Sequence, residues 1–250
     1  MCAIIFTLYL IFIASASGDL HLSRIVGGAD ADIKDYPYQL SLQFRGAHVC
    51  GAALISEFYA LTAAHCTEGV SIEDLSVRVG SSTANSKGEV VNLSTYYQNE
   101  KYDTWIVDYD MSILKFVKPL VFRNTVRPIA LPDLDEEVPE GKEAIGTGWG
   151  ITVKGGSVSR VLQMVKVYVF NQEECQEAYG DAEITERMLC AGNRELEAGV
   201  CQGDSGGPLV IDDKLVGLVS WGKNCGERSH PGVYTRVARM RDFIMEKTGL

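Results

Sequence analysis

The chain has no cluster of lysines and arginines, no Cys-x-x-Cys pair, no visible internal repeat and no apolar run long enough to span a bilayer. Each absence removes a class of function. Against 33 Asp+Glu there are 23 Lys+Arg, a formal charge of −10. Without a basic face to neutralise phosphates, nucleic acid is set aside as a partner. The acidic balance favours solubility and identifies no partner. The missing Cys-x-x-Cys spacing argues against structural zinc. The longest apolar stretch, Ala3 to Ala14, is too short for a membrane span and has the length of a secretory h-region. No membrane association is expected.

What is present begins with that leader. Its n-region carries no Lys or Arg, but Ala14-Ser15-Ala16 supplies the small residues of a cleavage site. Cleavage after Ala16 or Ser17 makes residues 1–17 a signal peptide and the product secreted and extracellular. Asp19 and Arg24 are the only charged side chains before Ile25, so losing this stretch leaves the charge balance unchanged. Cys2 leaves with the leader. The seven cysteines become six, Cys50, Cys66, Cys175, Cys190, Cys201 and Cys225. An even set in an exported chain reads as a disulfide framework, although six cysteines allow 15 pairings.

With 250 residues, 46% of them hydrophobic, the chain can bury a sizeable core in one or two domains. Short β-rich runs separated by glycine and polar breaks predict antiparallel sheets. They are 38–44, 53–55, 59–62, 75–79, 111–116, 144–149, 161–169, 208–211, 215–219 and 232–236. The acidic stretch 133–141, bracketed by prolines, reads as a solvated connector. Val237, Met240, Phe243 and Ile244 follow helical spacing and predict one amphipathic helix over 236–248. The single sequon, Asn92-Leu93-Ser94, reads as a loop site.

Three separated motifs carry chemistry: Arg24-Ile25-Val26-Gly27-Gly28, Thr62-Ala63-Ala64-His65-Cys66 and Gly203-Asp204-Ser205-Gly206-Gly207-Pro208. Singly each is weak. His65 suits an apolar core, and Gly-Asp-Ser-Gly suits a surface turn. Together they offer a base, a nucleophile and a cleavable activation site, in an order that resembles the chymotrypsin family of serine endopeptidases. The resemblance runs from Ile25 to the C-terminus.

The resemblance implies an all-β fold: two six-stranded antiparallel Greek-key barrels, about 25–135 and 136–235, with a C-terminal α-helix, about 236–248. It implies the disulfides Cys50–Cys66, Cys175–Cys190 and Cys201–Cys225. A further pair found in many vertebrate relatives aligns with Ala144 and Ile211, so both of its cysteines are absent together. Ser205 is then the nucleophile, His65 the base, and an aspartate the third member. Asp108 and Asp110 compete for that role. Asp110-Met-Ser-Ile-Leu114 matches the Asp-then-apolar-strand motif and is preferred. His21, His48 and His230 do not compete, His48 matching a structural histidine of the family.

Gly203 and Ser205 are the expected oxyanion-hole N–H donors. Ser220-Trp221-Gly222 resembles the segment that pairs with substrate backbone, with Ser220 also touching the aspartate. Cutting after Arg24 frees the Ile25 ammonium to pair with Asp204, so a zymogen with a short pro-segment, 18–24, and a trypsin-like activator are implied. Trypsin-like members carry an Asp where this chain has Gly199, beside Val200. With Gly222 and Gly232 on the walls, the pocket is expected to take large apolar side chains. A carboxylate entering from Glu195 or Glu197 is the alternative for basic ones, and elastase-like, collagenolytic or broad specificity stays open. No cofactor is expected. No metal is expected either, since Ser81 to Gly88 supplies too few charged oxygens for a hard cation. The expected partners are protein or peptide substrates and protein protease inhibitors, met by a monomer. A non-catalytic binding homologue is the rival from another class, and a cascade protease a second rival.

Overall fold

The structure is a computed structural model that describes residues 27–152, 156–180 and 182–250. The expected signal peptide, the pro-segment, Arg24 and Ile25 lie outside the described residues. The strands are β1 (Ala29–Asp30), β2 (Gln39–Phe44), β3 (Ala47–Leu54), β4 (Tyr59–Thr62), β5 (Leu75–Val79), β6 (Glu89–Gln98) and β7 (Ser112–Phe116). The connector follows β7, and then come β8 (Glu143–Gly148), β9 (Gln163–Val169), β10 (Met188–Gly192), β11 (Pro208–Ile211), β12 (Lys214–Trp221) and β13 (Gly232–Arg236). Two α-helices, α1 (Gln172–Tyr179) and α2 (Arg241–Thr248), complete the description.

The strands close into two six-stranded antiparallel barrels. The first has the order β2-β3-β4-β7-β6-β5. The second runs β8-β9-β10-β13-β12-β11 and closes through β8–β9, with β1 added outside on β9. Numbered within each barrel the two orders are the same, a repeat of topology that leaves no trace in the sequence. Alternation explains the inward faces: in β9, Gln163, Val165, Val167 and Val169 are buried while Lys166 and Tyr168 are exposed.

The cores differ in reach. Leu40, Leu42, Leu61, Val77, Ile113 and Phe116 fill the first barrel, and Val210, Leu215, Leu218, Val237, Met240 and Ile244 join the same cluster. Strands of the second barrel and the C-terminal helix are therefore sealed against the first by burial worth about 1.5–3 kcal/mol per large side chain. Three disulfides hold the loops: Cys50–Cys66, Cys175–Cys190 and Cys201–Cys225. Each closes a loop of modest size, worth about 3 kcal/mol in the chain-entropy account.

Three local expectations change. The C-terminal run is not one helix: Val237–Met240 forms a 3₁₀ turn, and the α-helix starts at Arg241. The sequon at Asn92 lies within strand β6, not on a loop. Helix α1 and strands β6 and β10 are absent from the sequence reading. In β6 Leu93 is the one buried residue, as Cys175 is in α1, so neither shows a clear apolar period.

Candidate active site

The chain that precedes β7 and the turn that follows β4 meet at the seam between the barrels. His65 sits in a 3₁₀ turn, Ala64–Cys66, pinned to β3 by the Cys50–Cys66 bond. Its backbone N–H donates to Asp110 Oδ1 at 2.9 Å, and its Nδ1 lies 2.8 Å from Asp110 Oδ2. The two contacts fix both the position and the tautomer of the ring: Nδ1 donates to the carboxylate and leaves Nε2 as the acceptor. Asp110 is 1% exposed. Ser220 Oγ donates to its Oδ2 at 2.5 Å, and Thr235 Oγ1 donates to its carbonyl oxygen at 2.7 Å.

Asp108, the competing carboxylate, is engaged elsewhere. It is buried and accepts from Arg187 Nε and Nη2, Thr185 Oγ1 and the N–H of Tyr109. The structure therefore brings Asp110, and not Asp108, to His65.

Ser205 is half-buried at the same seam. Its carbonyl oxygen accepts from Gly51 N at 2.7 Å, and Gly206 is packed against Thr62 and Ala63 at the start of the His65 turn. Among the described residues the N–H groups of Gly203 and Ser205 donate to nothing, so both are available to an incoming oxyanion. Gly203 takes φ +94°, and a Cβ there would stand 3.1 Å from both Gly150 Cα and Val158 Cγ1, so a side chain is excluded twice over.

Asp204 is fully buried. It accepts from Gly150 N at 2.7 Å and Cys201 N at 2.9 Å, and no cation pairs with it among the described residues. Burial pushes its carboxyl up to about 6, against the lowering effect of those two N–H donors. Gly148 and Gly150 press so closely on the carboxylate that a Cβ at either would overlap it, at 2.1 and 2.4 Å.

Beside Ser205 lies a cavity of about 200 Å³. Gly199, Val200, Ser220, Trp221, Gly222 and Gly232 all line it, as do Gly226, Glu227 and His230. The floor is two crossed backbones: a Cβ on Gly199 would stand 3.0 Å from Gly226 Cα. Glu195 and Glu197 do not line the cavity; among the described residues Glu227 is its one carboxylate. Asn224 Nδ2 and Ser229 Oγ donate to Glu227, and these bonds, with His230 close by, hold its carboxyl below the usual range. The one grouping of metal-ligand types among the described residues, Cys50, His65 and Cys66, is a disulfide beside the imidazole and offers no thiolate.

Sequence reasoning gave His48 a structural role without its partners, and it missed several other residues that shape the site. His48 Nε2 lies 2.9 Å from the Gly203 carbonyl oxygen, with Ser41 Oγ 2.9 Å from its other ring nitrogen. Thr235, Thr185, Arg187, Gly148, Gly150 and Glu227 were unassigned. Only the Gly146-Thr-Gly-Trp-Gly150 pattern carried a signal, since alternating glycines in a strand mark a close backbone approach.

Two closed barrels with an imidazole–carboxylate pair, a serine and two unengaged N–H groups at their seam define a serine peptidase architecture. The family model described as Trypsin matches residues 25–244. A trypsin of Phaedon cochleariae is 42% identical over 228 residues, covering 90% of this chain and 88% of that one. The vitellin-degrading protease of Bombyx mori is 43% identical, covering 89% and 85%. Hypodermin-B of Hypoderma lineatum is 41% identical, covering 89% and 87%. The chain belongs to the trypsin family and is a serine endopeptidase.

Proposed function

We propose that the chain is a secreted endopeptidase, made as a zymogen, that cleaves after large apolar residues through an acyl-enzyme. In this reading His65 Nε2 takes the Ser205 proton as Oγ attacks the scissile carbonyl, and later returns it to the leaving amine. Asp110 holds the ring and stabilises its charged form. The N–H groups of Gly203 and Ser205 receive the oxyanion. Ser220-Trp221-Gly222 pairs with the substrate backbone as an added strand. Processing after Ala16 or Ser17, then after Arg24, frees Ile25 to pair with Asp204, which is buried and has no cation partner among the described residues.

The observation that carries the reading is the His65–Asp110 pair set beside a serine whose own N–H is unengaged. The test is labelling of the trypsin-activated protein with a sulfonyl fluoride. One adduct should form on Ser205, and none in Ser205→Ala. Equal labelling of both proteins, or of neither, would refute the assignment and favour a non-catalytic binding role.

A second reading of specificity has one observation in its favour. Glu227 gives the cavity a negative group, so Lys or Arg has a partner there despite Gly199. Apolar preference ranks first because Glu227 is already bonded to Asn224, Ser229 and His230 and is partly exposed.

A further inference from the structure

Asp110 leads into β7 of the first barrel, yet much of what fixes it comes from the second. Thr235 on β13 grips its carbonyl and Ser220 on β12 its carboxylate. Its chain neighbours are held from the same side. Arg187, immediately before β10, places Nε 2.9 Å and Nη2 2.7 Å from Asp108 Oδ2, and its guanidinium lies 4.4 Å over the Tyr109 ring. Thr185 Oγ1 adds a bond of 3.0 Å to Asp108 Oδ1. The Arg187 carbonyl in turn accepts from Arg236 N at 2.7 Å, next to Thr235.

The backbone so held is unusual. Val107 and Tyr109 have φ of +54° and +52°, two left-handed residues that are not glycine, one on each side of Asp108. Such conformations persist only where the surroundings over-determine them. Here the bidentate Arg187–Asp108 pair and the stacking on Tyr109 supply that determination. Release of Tyr109 towards ordinary φ would swing the next residue, Asp110, away from His65.

We propose that Arg187 is a positioning residue for the reaction, acting through Asp108 and Tyr109 to present the Asp110 carboxylate to His65; this rests on the assignment of Ser205, His65 and Asp110 as the triad. Arg187 lines no part of the cavity beside Ser205. Its loss acts on turnover and leaves substrate affinity largely alone.

The test compares activated wild type with Arg187→Met, Arg187→Lys, Arg187→Met/Tyr109→Gly and Ser205→Ala, each assayed well below its measured Tm. Arg187→Met should lower kcat about tenfold or more with little change in KM, the size of effect that misplacing a catalytic group produces. Arg187→Lys should fall between, because it keeps the charge and loses the fork. Adding Tyr109→Gly should restore part of kcat, since glycine takes the left-handed conformation without help. Wild-type kcat in Arg187→Met would overturn the proposal. So would a loss carried by KM, or one that tracks the fall in Tm with no recovery from Tyr109→Gly. A Ser205→Ala protein as active as wild type would overturn the triad assignment and this inference with it.

Discussion

His48 Nε2 and the carbonyl oxygen of Gly203 stand 2.9 Å apart, tying β3 of the first barrel to the loop that carries Ser205. A carbonyl can only accept, so Nε2 holds the proton and Nδ1 accepts from Ser41 Oγ at 2.9 Å. Burial lowers the imidazole's pKa and keeps it neutral, outweighing the bond to Gly203. The carbonyl held this way is that of Gly203, the residue whose N–H is proposed as one oxyanion donor.

His48→Phe preserves the edge contact with Trp149, whose ring centroid is 5.5 Å away, and deletes the donor. It should cost about 1–3 kcal/mol of stability, the penalty for an abandoned partner, and lower kcat more than it raises KM. Urea unfolding and steady-state kinetics on one peptide check both. Unchanged kcat would mean that Gly203 is held without this bond.

The sequence showed much of the fold where apolar residues alternate or fill a strand, although the short β10, buried throughout, escaped it. The runs at 75–79, 208–211 and 232–236 coincide with β5, β11 and β13. It failed where burial is one-sided and sparse. Strand β6 pairs along nearly its full length with β5 and β7, and backbone hydrogen bonds with no apolar stripe give a sequence reader nothing to count. The site shows the same division. His65, Asp110 and Ser205 stand in short motifs, whereas Arg187 and Thr235 act through partners 79 and 125 residues away. Topology brings those pairs together, and no local spacing encodes them.

Ser205→Ala and His65→Ala should each remove nearly all turnover while the fold and peptide binding survive. Because the three groups act as a unit, the double variant should be scarcely worse than either single one. A residual rate above the uncatalysed reaction should persist from the Gly203 and Ser205 N–H groups and from binding. The decisive measurement is kcat on a fluorogenic peptide with contaminating protease excluded. Additive losses would show that Ser205 and His65 work independently.

Asp204 makes the activation claim a matter of pH. Its carboxyl, raised from 3.8 to about 6, binds protons more tightly in the folded than in the unfolded chain. Without a cation its contribution is therefore full below about pH 4 and lost as pH rises through about 6, a change of about 3 kcal/mol at most. Ile25 ammonium reverses the sign, since it stabilises the ionised form. Uncleaved Arg24→Gln protein should thus lose stability between pH 4 and 6 relative to its activated counterpart, and Asp204→Asn should flatten the difference. In the activated enzyme, activity should fall at alkaline pH as the amino group, with an ordinary pKa of about 8 that pairing raises, loses its proton. Chemical unfolding at a series of pH values tests the first part. A gap that does not change with pH would remove Asp204 from the switch.

The pocket gives the last prediction. Gly199 leaves its floor uncharged, and a buried Arg or Lys without a partner costs several kcal/mol, whereas burying Phe or Leu gains about 1.5–3 kcal/mol. Phe, Tyr, Leu and Met should lead before the scissile bond. Val200 lines the cavity, its Cγ2 3.4 Å from where a Cβ on Gly232 would lie, so its bulk should disfavour Trp. Val200→Ser should then improve Trp and Tyr relative to Leu. Gly199→Asp should help Arg and Lys only in part. Its Cβ would meet Gly226 backbone at 3.0 and 3.3 Å, and the resulting shift costs about 1–3 kcal/mol of stability. A set of chromogenic peptides differing at that one residue decides the matter, read as kcat/KM. If wild type prefers Lys or Arg, the apolar assignment fails. Glu227→Gln must then abolish that preference, because no other carboxylate lines the cavity among the described residues.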